Sequence, residues 1–245
     1  GHSVGPNAVE IEDIYIKLDK NIETILSSLD KQVGIGQYTV FLTADHAVAD
    51  VPQYLKDQRI PAGTMSLENL KVNMADFLNA YYPGKKLIEN ISNEQVFLNH
   101  EAFSQDPRTS GVDLLITMEL VGKFLMATDG IQTYYTENQL RQSDFNEGGI
   151  KGSVVRGFHH KRSGDIAFVL EPGWFTGNWP QGTTHGSPWM YDTHVPILFF
   201  GAGIPAGSTS VYHSITDIAP TLSVLLGIKF PNGCTGQPIS ELLDR

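Results

Sequence analysis

The hydrophobic positions in the first part of the chain predict a helix followed by a strand. Apolar residues recur at three- and four-residue steps over residues 7–34, the spacing of one face of an amphipathic helix: Ile11, Ile14, Leu18, Ile22, Ile25, Leu29 and Val33. Gly34 and Gly36 end this pattern. Residues 38–43 then form a short continuous apolar run, which is typical of a buried parallel strand.

The same two patterns recur further along the chain. They predict helices over residues 66–82, 111–127 and 216–227, and strands over residues 94–99, 131–136, 165–171 and 195–200. Ser66 is the expected N-cap of the first of these helices. Residues 138–149 and 173–188 are expected to be loops. Helices alternating with buried strands indicate an α/β fold with a mostly parallel sheet flanked by helices.

Composition and charge exclude several classes of protein. The 245 residues carry 27 acidic and 17 basic side chains, a net charge of -10, which argues against nucleic acid as a partner. The longest apolar stretch, residues 195–204, is interrupted by proline and glycine, so no membrane span is expected. Cys234 is the single cysteine, so a metal would have to be held by histidines and carboxylates.

Asp45 and His46 follow the predicted strand 38–43 and are the first candidates for such a site. In open α/β sheets, ligands bind beyond the carboxyl ends of the strands. A carboxylate beside an imidazole suits zinc or another divalent cation. A capping aspartate beside a hydrogen-bonded structural histidine fits the same dipeptide, and the pair alone leaves both interpretations open.

His185 and His2 are the other two candidate ligands. His185 lies in a glycine-containing loop before a predicted strand, and glycine lets the backbone approach a ligand closely. His2 lies in a loop-like segment that leads through Gly5 and Pro6 into the first predicted helix. An ordinary loop histidine is the alternative for His185, and a residue of a purification tag is the alternative for His2.

Together, the motifs occur in an order that resembles the alkaline phosphatase superfamily. They are Gly1-His2 with Gly5-Pro6, Thr43-Ala44-Asp45-His46, Thr184-His185-Gly186, Thr193-His194-Val195-Pro196 and the segment 216–222. The branch they resemble is the phosphate-irrepressible bacterial alkaline phosphatases, near the nucleotide pyrophosphatases and phosphodiesterases. Ser163-Gly164-Asp165 and Glu171-Pro172-Gly173-Trp174 resemble the same branch. The resemblance is thin between residues 50 and 151.

This resemblance implies a fold, a metal site and an activity. The fold would be alkaline phosphatase-like, with an inserted region after Asp45-His46 for which residues 50–162 are the expected insertion or cap. Members of the family hold two zinc ions. His2 and His185 match ligands of the first ion, and Asp45 and His46 match ligands of the second. The implied activity is hydrolysis of phosphate monoesters through a phospho-enzyme intermediate.

The resemblance also implies that part of the enzyme precedes residue 1. The family's nucleophilic Thr or Ser and the residues that grip the phosphate fall upstream, so the chain resembles the C-terminal part of the enzyme. We therefore expect the missing N-terminal part of the same protein as a partner, and we expect the isolated chain to be inactive. The alternatives are a phosphodiesterase or nucleotide pyrophosphatase of the same superfamily, and a non-catalytic isolated fragment or scaffold domain. Family members are usually exported, so a periplasmic or secreted protein is expected.

Overall fold

A computed structural model describes residues 1–103, 112–177 and 182–243 of the chain. Its helices are α1 (Val9–Gln32), α2 (Pro52–Asp57), α3 (Leu67–Asn79), α4 (Leu114–Met126), α5 (Glu137–Arg141), α6 (Gly149–Gly157), α7 (Met190–Thr193) and α8 (Ile218–Leu225). Its strands are β1 (Thr39–Leu42), β2 (Gly63–Met65), β3 (Ile88–Ser92), β4 (Gln95–Leu98), β5 (Ile131–Thr136), β6 (Ile166–Leu170), β7 (Trp174–Thr176) and β8 (Leu198–Gly201).

These elements divide into two compact units. The first unit contains Gly1–Ile11 and His46–Thr193, and the second contains Glu12–Asp45 and His194–Arg245. Residues 50–162, the expected insertion, lie in the first unit together with β6 and β7. In the part of the chain that the structure describes, no helix combines the length and apolarity that crossing a membrane requires.

The first unit is built on a four-stranded antiparallel sheet in the order β3-β4-β6-β5. A tight turn joins β3 to β4, and its residues Asn93 and Glu94 both have positive φ angles, 49° and 55°. Two central residues with positive φ are the mark of a hairpin turn that matches the twist of its strands. The short strands β2 and β7 form a separate two-stranded parallel sheet, with Gly63 opposite Trp174.

Helices α3 and α4 supply much of the apolar core of the first unit. Their fully buried side chains Met74 and Leu125 belong to one cluster with Val96 and Ile166 of the sheet. Ser66 caps α3 as predicted, because its Oγ accepts a hydrogen bond of 3.3 Å from the amide of Asn69. Burial of these apolar faces holds the unit together.

Gly122 of α4 packs directly against β5, and we expect its replacement by valine to destabilise the first unit. A Cβ at Gly122 would lie 2.2 Å from Cζ of Tyr134. Overpacking of this kind costs about 1–3 kcal/mol of the free energy of unfolding. Chemical denaturation of the Gly122→Val variant should show this loss. Gly157→Ala is the control, since a Cβ there meets no described atom within 4 Å, and an equal loss in both variants would contradict the packing described.

The second unit pairs β1 with β8 and adds α8 and most of α1. Its buried side chains include Ile218, Thr221 and Ile239, and the Thr221 hydroxyl accepts a hydrogen bond of 2.9 Å from the amide of Ile239. In contrast, no residue of α1 is buried. Leu198 and Phe200 of β8 are each 56% exposed.

His213 contacts a residue just before α8 and a residue near the end of the chain. Its Nε2 lies 3.3 Å from Oε1 of Glu241, and its Nδ1 lies 3.9 Å from Oδ2 of Asp217. A hydrogen bond from the Glu241 amide, with others from Thr209 and His213, holds the pKa of the Glu241 carboxyl below its ordinary value, although burial opposes this. The contacts indicate a structural role for His213.

Because the folded-state pKa of Glu241 is lowered, its ionised form stabilises the fold above the ordinary glutamic acid pKa of about 4.3. This contribution is lost as the pH falls below that value. We therefore expect the Tm of the Glu241→Gln variant to lie below that of the unchanged protein at pH 7, and the difference to shrink in more acidic buffer. Thermal melts from pH 3 to pH 7 test this, and a difference that grows on acidification would contradict it.

Two expectations about the strands are corrected by the structure. Among the described strand pairs, β2–β7 is parallel and the others are antiparallel, whereas a mostly parallel sheet was expected. A two-residue turn such as that between β3 and β4 permits only an antiparallel pair. The runs 38–43 and 195–200 do contain strands, but β1 and β8 are largely exposed rather than buried. An apolar run indicates a strand without showing its direction or what covers it.

The predicted helices are confirmed with shifted ends, and the predicted loops are partly wrong. The helix predicted over 111–127 begins at Leu114 after the N-cap Asp113, and its expected first residue, Gly111, lies outside the described residues. Residues 138–149 include most of α5, which a capping box between Thr136 and Gln139 starts. Within 173–188, β7 was missed, and residues 178–181 lie outside the described part.

Candidate metal centre

Three of the four predicted metal ligands lie together in the first unit. The ring centroid of His185 is 5.4 Å from that of His2 and 3.4 Å from that of His46. The rings of His46 and His185 are stacked, with 11° between their planes. The three histidines come from separate segments of the sequence, so the fold of this unit is what brings them into contact.

The segment that carries His2 is fixed by hydrogen bonds to Thr183. The ring Nδ1 of His2 lies 2.9 Å from the Thr183 carbonyl oxygen, and the Thr183 amide donates to the His2 carbonyl at 2.9 Å. Gly5 allows this segment to approach residue 51, because a Cβ at Gly5 would lie 2.3 Å from Cγ2 of Val51. Asn7 also donates a 2.8 Å hydrogen bond to Asp50.

The segments that carry His46 and His185 are held by Thr183 and Asp192. The Thr183 hydroxyl donates to the carbonyl of Ala49, and the Thr183 side chain is fully buried. The amide of Ala47 donates a 2.7 Å hydrogen bond to the carbonyl of Asp192. The Asp192 carboxylate accepts a 2.7 Å hydrogen bond from the amide of Ser187, two residues beyond His185.

The hydrogen bonds of His2 and His46 favour one neutral tautomer of each ring. Nδ1 of His46 lies 2.7 Å from the carbonyl oxygen of Ala47, just as Nδ1 of His2 faces the Thr183 carbonyl. A carbonyl oxygen only accepts, so Nδ1 carries the proton in both neutral rings and the lone pair is on Nε2. This is the arrangement that metal-binding histidines show, with one nitrogen held by a backbone carbonyl and the other directed to the ion.

The imidazole nitrogens of these histidines are therefore suitable ligands for a divalent metal. The three rings are not, however, arranged around a single ion. Within residues 1–103, 112–177 and 182–243, no group of three or more His, Cys, Asp or Glu side chains is arranged to hold one ion. Stacked rings such as His46 and His185 turn their faces, rather than their nitrogens, to one another. Asp45, the fourth predicted ligand, is exposed and belongs to the second unit, directly before His46 in the chain.

Three residues that shape this site were not singled out from the sequence. Thr183 and Asp192 fix the backbone around the histidines, and Glu94 lines a cavity that His185 also lines. Burial raises the pKa of the Glu94 carboxyl, and the hydrogen bond of 2.8 Å that it accepts from Thr176 partly offsets this. Threonine, aspartate and glutamate are common throughout the chain, so their identity does not mark them as site residues. The sequence gives one indication, which is that Thr183 lies two residues before His185.

The family is shown by comparison with known proteins. A family model described as type I phosphodiesterase / nucleotide pyrophosphatase matches residues 1–194. The chain belongs to this family. Several similar relatives are named as alkaline phosphatases, which places the chain in the superfamily indicated by its motifs.

Three relatives illustrate the extent of the similarity. A protein of Myroides odoratus named "Calcium-transporting ATPase" is 35% identical, over 100% of this chain and 44% of the relative. Alkaline phosphatase PafA of Elizabethkingia meningoseptica is 34% identical over 100% of this chain and 44% of that protein. Alkaline phosphatase PhoV of Synechococcus elongatus is 34% identical over 99% of this chain and 42% of that protein. The chain thus spans less than half the length of these relatives.

The fold is confirmed by a solved structure. The 1.7 Å crystal structure of wild-type alkaline phosphatase PafA matches with a TM-score of 0.87 and 33% sequence identity. The match covers 99% of this chain and 45% of that chain. The mixed α/β fold is therefore alkaline phosphatase-like.

Proposed function

We propose that this chain supplies metal ligands to a zinc-dependent alkaline phosphatase that hydrolyses phosphate monoesters. The observation that carries the proposal is the meeting of His2, His46 and His185 in one unit of a chain whose relatives are named alkaline phosphatases. His2 and His185 would hold one zinc ion. Asp45 and His46 would hold a second.

The chain's own contribution is to hold and orient the imidazoles. The carbonyls of Thr183 and Ala47 fix the tautomers of His2 and His46, and Asp192 fixes the loop that follows His185. A pair of bound zinc ions supplies positive charge that stabilises the attacking and leaving oxygens of phosphoryl transfer. Metal binding needs neutral histidines and an ionised aspartate, so we expect the site to lose metal in acid.

A partner segment is supported by the apolar surface of the second unit. Helix α1 has an apolar stripe but no buried residue, and Ile14 and Ile25 are 52% and 56% exposed. Exposed apolar surface of this extent is typical of a surface that another segment covers. We propose that the occupant is an N-terminal part of the same protein, which would also bring the nucleophile. We further propose that residues 50–162 form the cap of the site and that the protein is periplasmic or secreted.

A phosphodiesterase or nucleotide pyrophosphatase is the second candidate, and the description of the matching family model favours it. The two activities differ in the charge and the number of ester groups on the phosphorus. The metal-binding histidines serve both, so substrate comparison is what separates them.

The decisive assay compares 4-nitrophenyl phosphate with bis(4-nitrophenyl) phosphate. It uses the complete protein, by which we mean the proposed longer protein that contains these 245 residues together with the N-terminal part. The protein is assayed before chelation, after chelation and after zinc addition. The proposal predicts a higher kcat/KM for the monoester, loss of activity on chelation, and recovery with zinc. A higher kcat/KM for the diester would support the second candidate, and activity that survives exhaustive chelation would contradict both.

A further inference from the structure

A cavity of about 350 Å³ in the first unit is lined in part by His185. Its volume is at the lower end of small-molecule sites, which range from about 300 to 1,000 Å³. Its lining residues include members of the β3–β4 turn, β6, β7 and α7: Glu94, Phe168, Trp174, Tyr191 and Asp192. A phosphate ester bound at His185 would have this cavity beside it.

The charges that line the cavity are negative. Glu94 and Asp192 are its acidic side chains, and no lysine or arginine is among its described lining residues. Asp192 is 3% exposed, and its Oδ1 is the buried side-chain atom without a hydrogen bond among the described residues. The other oxygen accepts from the Ser187 amide. A cavity whose described charged side chains are carboxylates suits a ligand that donates hydrogen bonds to them.

Glu94 reinforces this conclusion. Among the described residues, the Glu94 carboxylate accepts one hydrogen bond, from the Thr176 hydroxyl, and burial raises its pKa. A positively charged ligand would favour the ionised carboxylate and relieve this cost. A negatively charged ligand in the cavity would instead increase the cost of ionising Glu94.

The lining of the cavity also contains aromatic residues. Phe168, Trp174 and Tyr191 line it together with the two carboxylates. A carboxylate pairs with an ammonium group through charge-assisted hydrogen bonds, and the apolar lining residues can contact an apolar body. The combination suits an ammonium group attached to an apolar body.

We propose that this cavity binds the leaving group of the substrate, and that the substrate class is phosphate monoesters of amine-bearing alcohols or phenols. This rests on the proposed function for the phosphate end of the substrate. Hydrolysis breaks the bond between phosphorus and the ester oxygen. Water supplies hydroxide to phosphorus and a proton to the ester oxygen, so inorganic phosphate and the amine-bearing alcohol or phenol are released.

The first test measures binding of the leaving group without any reaction. Isothermal titration calorimetry of the complete protein compares tyramine with 4-ethylphenol, which has the same ring and hydroxyl but no amine. We expect tyramine to bind about tenfold more tightly or better, the effect of one charge-assisted hydrogen bond. If the unchanged protein binds tyramine and 4-ethylphenol with equal affinity, or does not bind tyramine, the proposal is overturned.

The second test assigns the preference to Glu94. Glu94→Gln should remove most of the preference for tyramine, because it removes the charge but keeps the shape of the side chain. Glu89→Gln is the matched control, since Glu89 is exposed on β3 and does not line the cavity. Melting curves establish that both variants fold. A preference that persists in folded Glu94→Gln would contradict the role of Glu94.

A kinetic arm separates this proposal from the proposed function. The zinc-loaded protein is assayed with tyramine phosphate and 4-ethylphenyl phosphate. A higher kcat/KM for tyramine phosphate supports both proposals. If tyramine binds preferentially but neither ester is hydrolysed, the phosphatase activity is wrong and the cavity assignment stands. If both esters are hydrolysed equally and tyramine shows no preference, the cavity assignment is wrong.

Discussion

Replacing His185 with alanine in the complete protein should lower the kcat/KM for a phosphate monoester by at least about 100-fold while the protein stays folded. Loss of a residue that merely orients a metal ligand typically costs 10–100-fold in metal affinity or activity, so loss of a ligand itself should reach the upper limit. His185 is exposed, and its described ring contacts are with His46 at 3.4 Å and His2 at 5.4 Å, so its removal should cost little stability. Kinetics, zinc content and a thermal melt of the same sample test all three expectations.

Two other histidines serve as controls for this variant. His160 is exposed in the same unit and stacks on His159 with a centroid distance of 4.9 Å, so His160→Ala removes a similar ring contact away from the site. It should leave turnover and zinc content unchanged. His213→Ala should lower the Tm more than the turnover, because His213 contacts Glu241 and Asp217. Equal losses of turnover in the three folded variants would show that the site is wrongly assigned.

The isolated 245-residue chain should show no steady turnover of 4-nitrophenyl phosphate, even with added zinc. The assigned ligands provide two protein side chains per zinc ion, whereas catalytic zinc sites use three. The described structure also has no ready-made group of three ligands. Zinc should therefore bind weakly to the isolated chain.

This second prediction also distinguishes a phosphatase segment from a scaffold domain. The isolated chain must first be shown to fold by circular dichroism, and mass spectrometry must show that the 27.0 kDa polypeptide is alone. Addition of the proposed N-terminal part should restore both zinc binding and turnover. Steady turnover by the isolated chain that is lost in its His185→Ala variant would contradict the prediction. Failure of the reconstituted protein to bind zinc would favour a scaffold.

Much of the secondary structure is predictable because periodicity and capping act locally. The spacing of apolar residues located α1, α3 and α4, and Ser66 caps α3 as its sequence position indicates. Strand direction and burial were not predictable, since both depend on which segments meet. The apolar runs around β1 and β8 were expected to be buried, yet Phe200 is 56% exposed.

The candidate site shows the same division. His2, His46 and His185 stand in motifs with a recognisable order, and the fold brings them together. Glu94 and Asp192 stand in no such motif, so their position around one cavity became visible only from the packing of the first unit. Residues that position a site, or that select its substrate, depend on tertiary contacts more than the ligands themselves do.

Anomalous X-ray diffraction at the zinc edge, from crystals of the active complete protein, would show directly whether these histidines bind zinc. We expect two zinc peaks. His2 and His185 should contribute nitrogens at about 2.0–2.1 Å to one, and His46 should contribute a nitrogen at that distance to the other, with Asp45 as its carboxylate ligand. Zinc bound elsewhere, or crystals of active protein in which these histidines bind no metal, would contradict it.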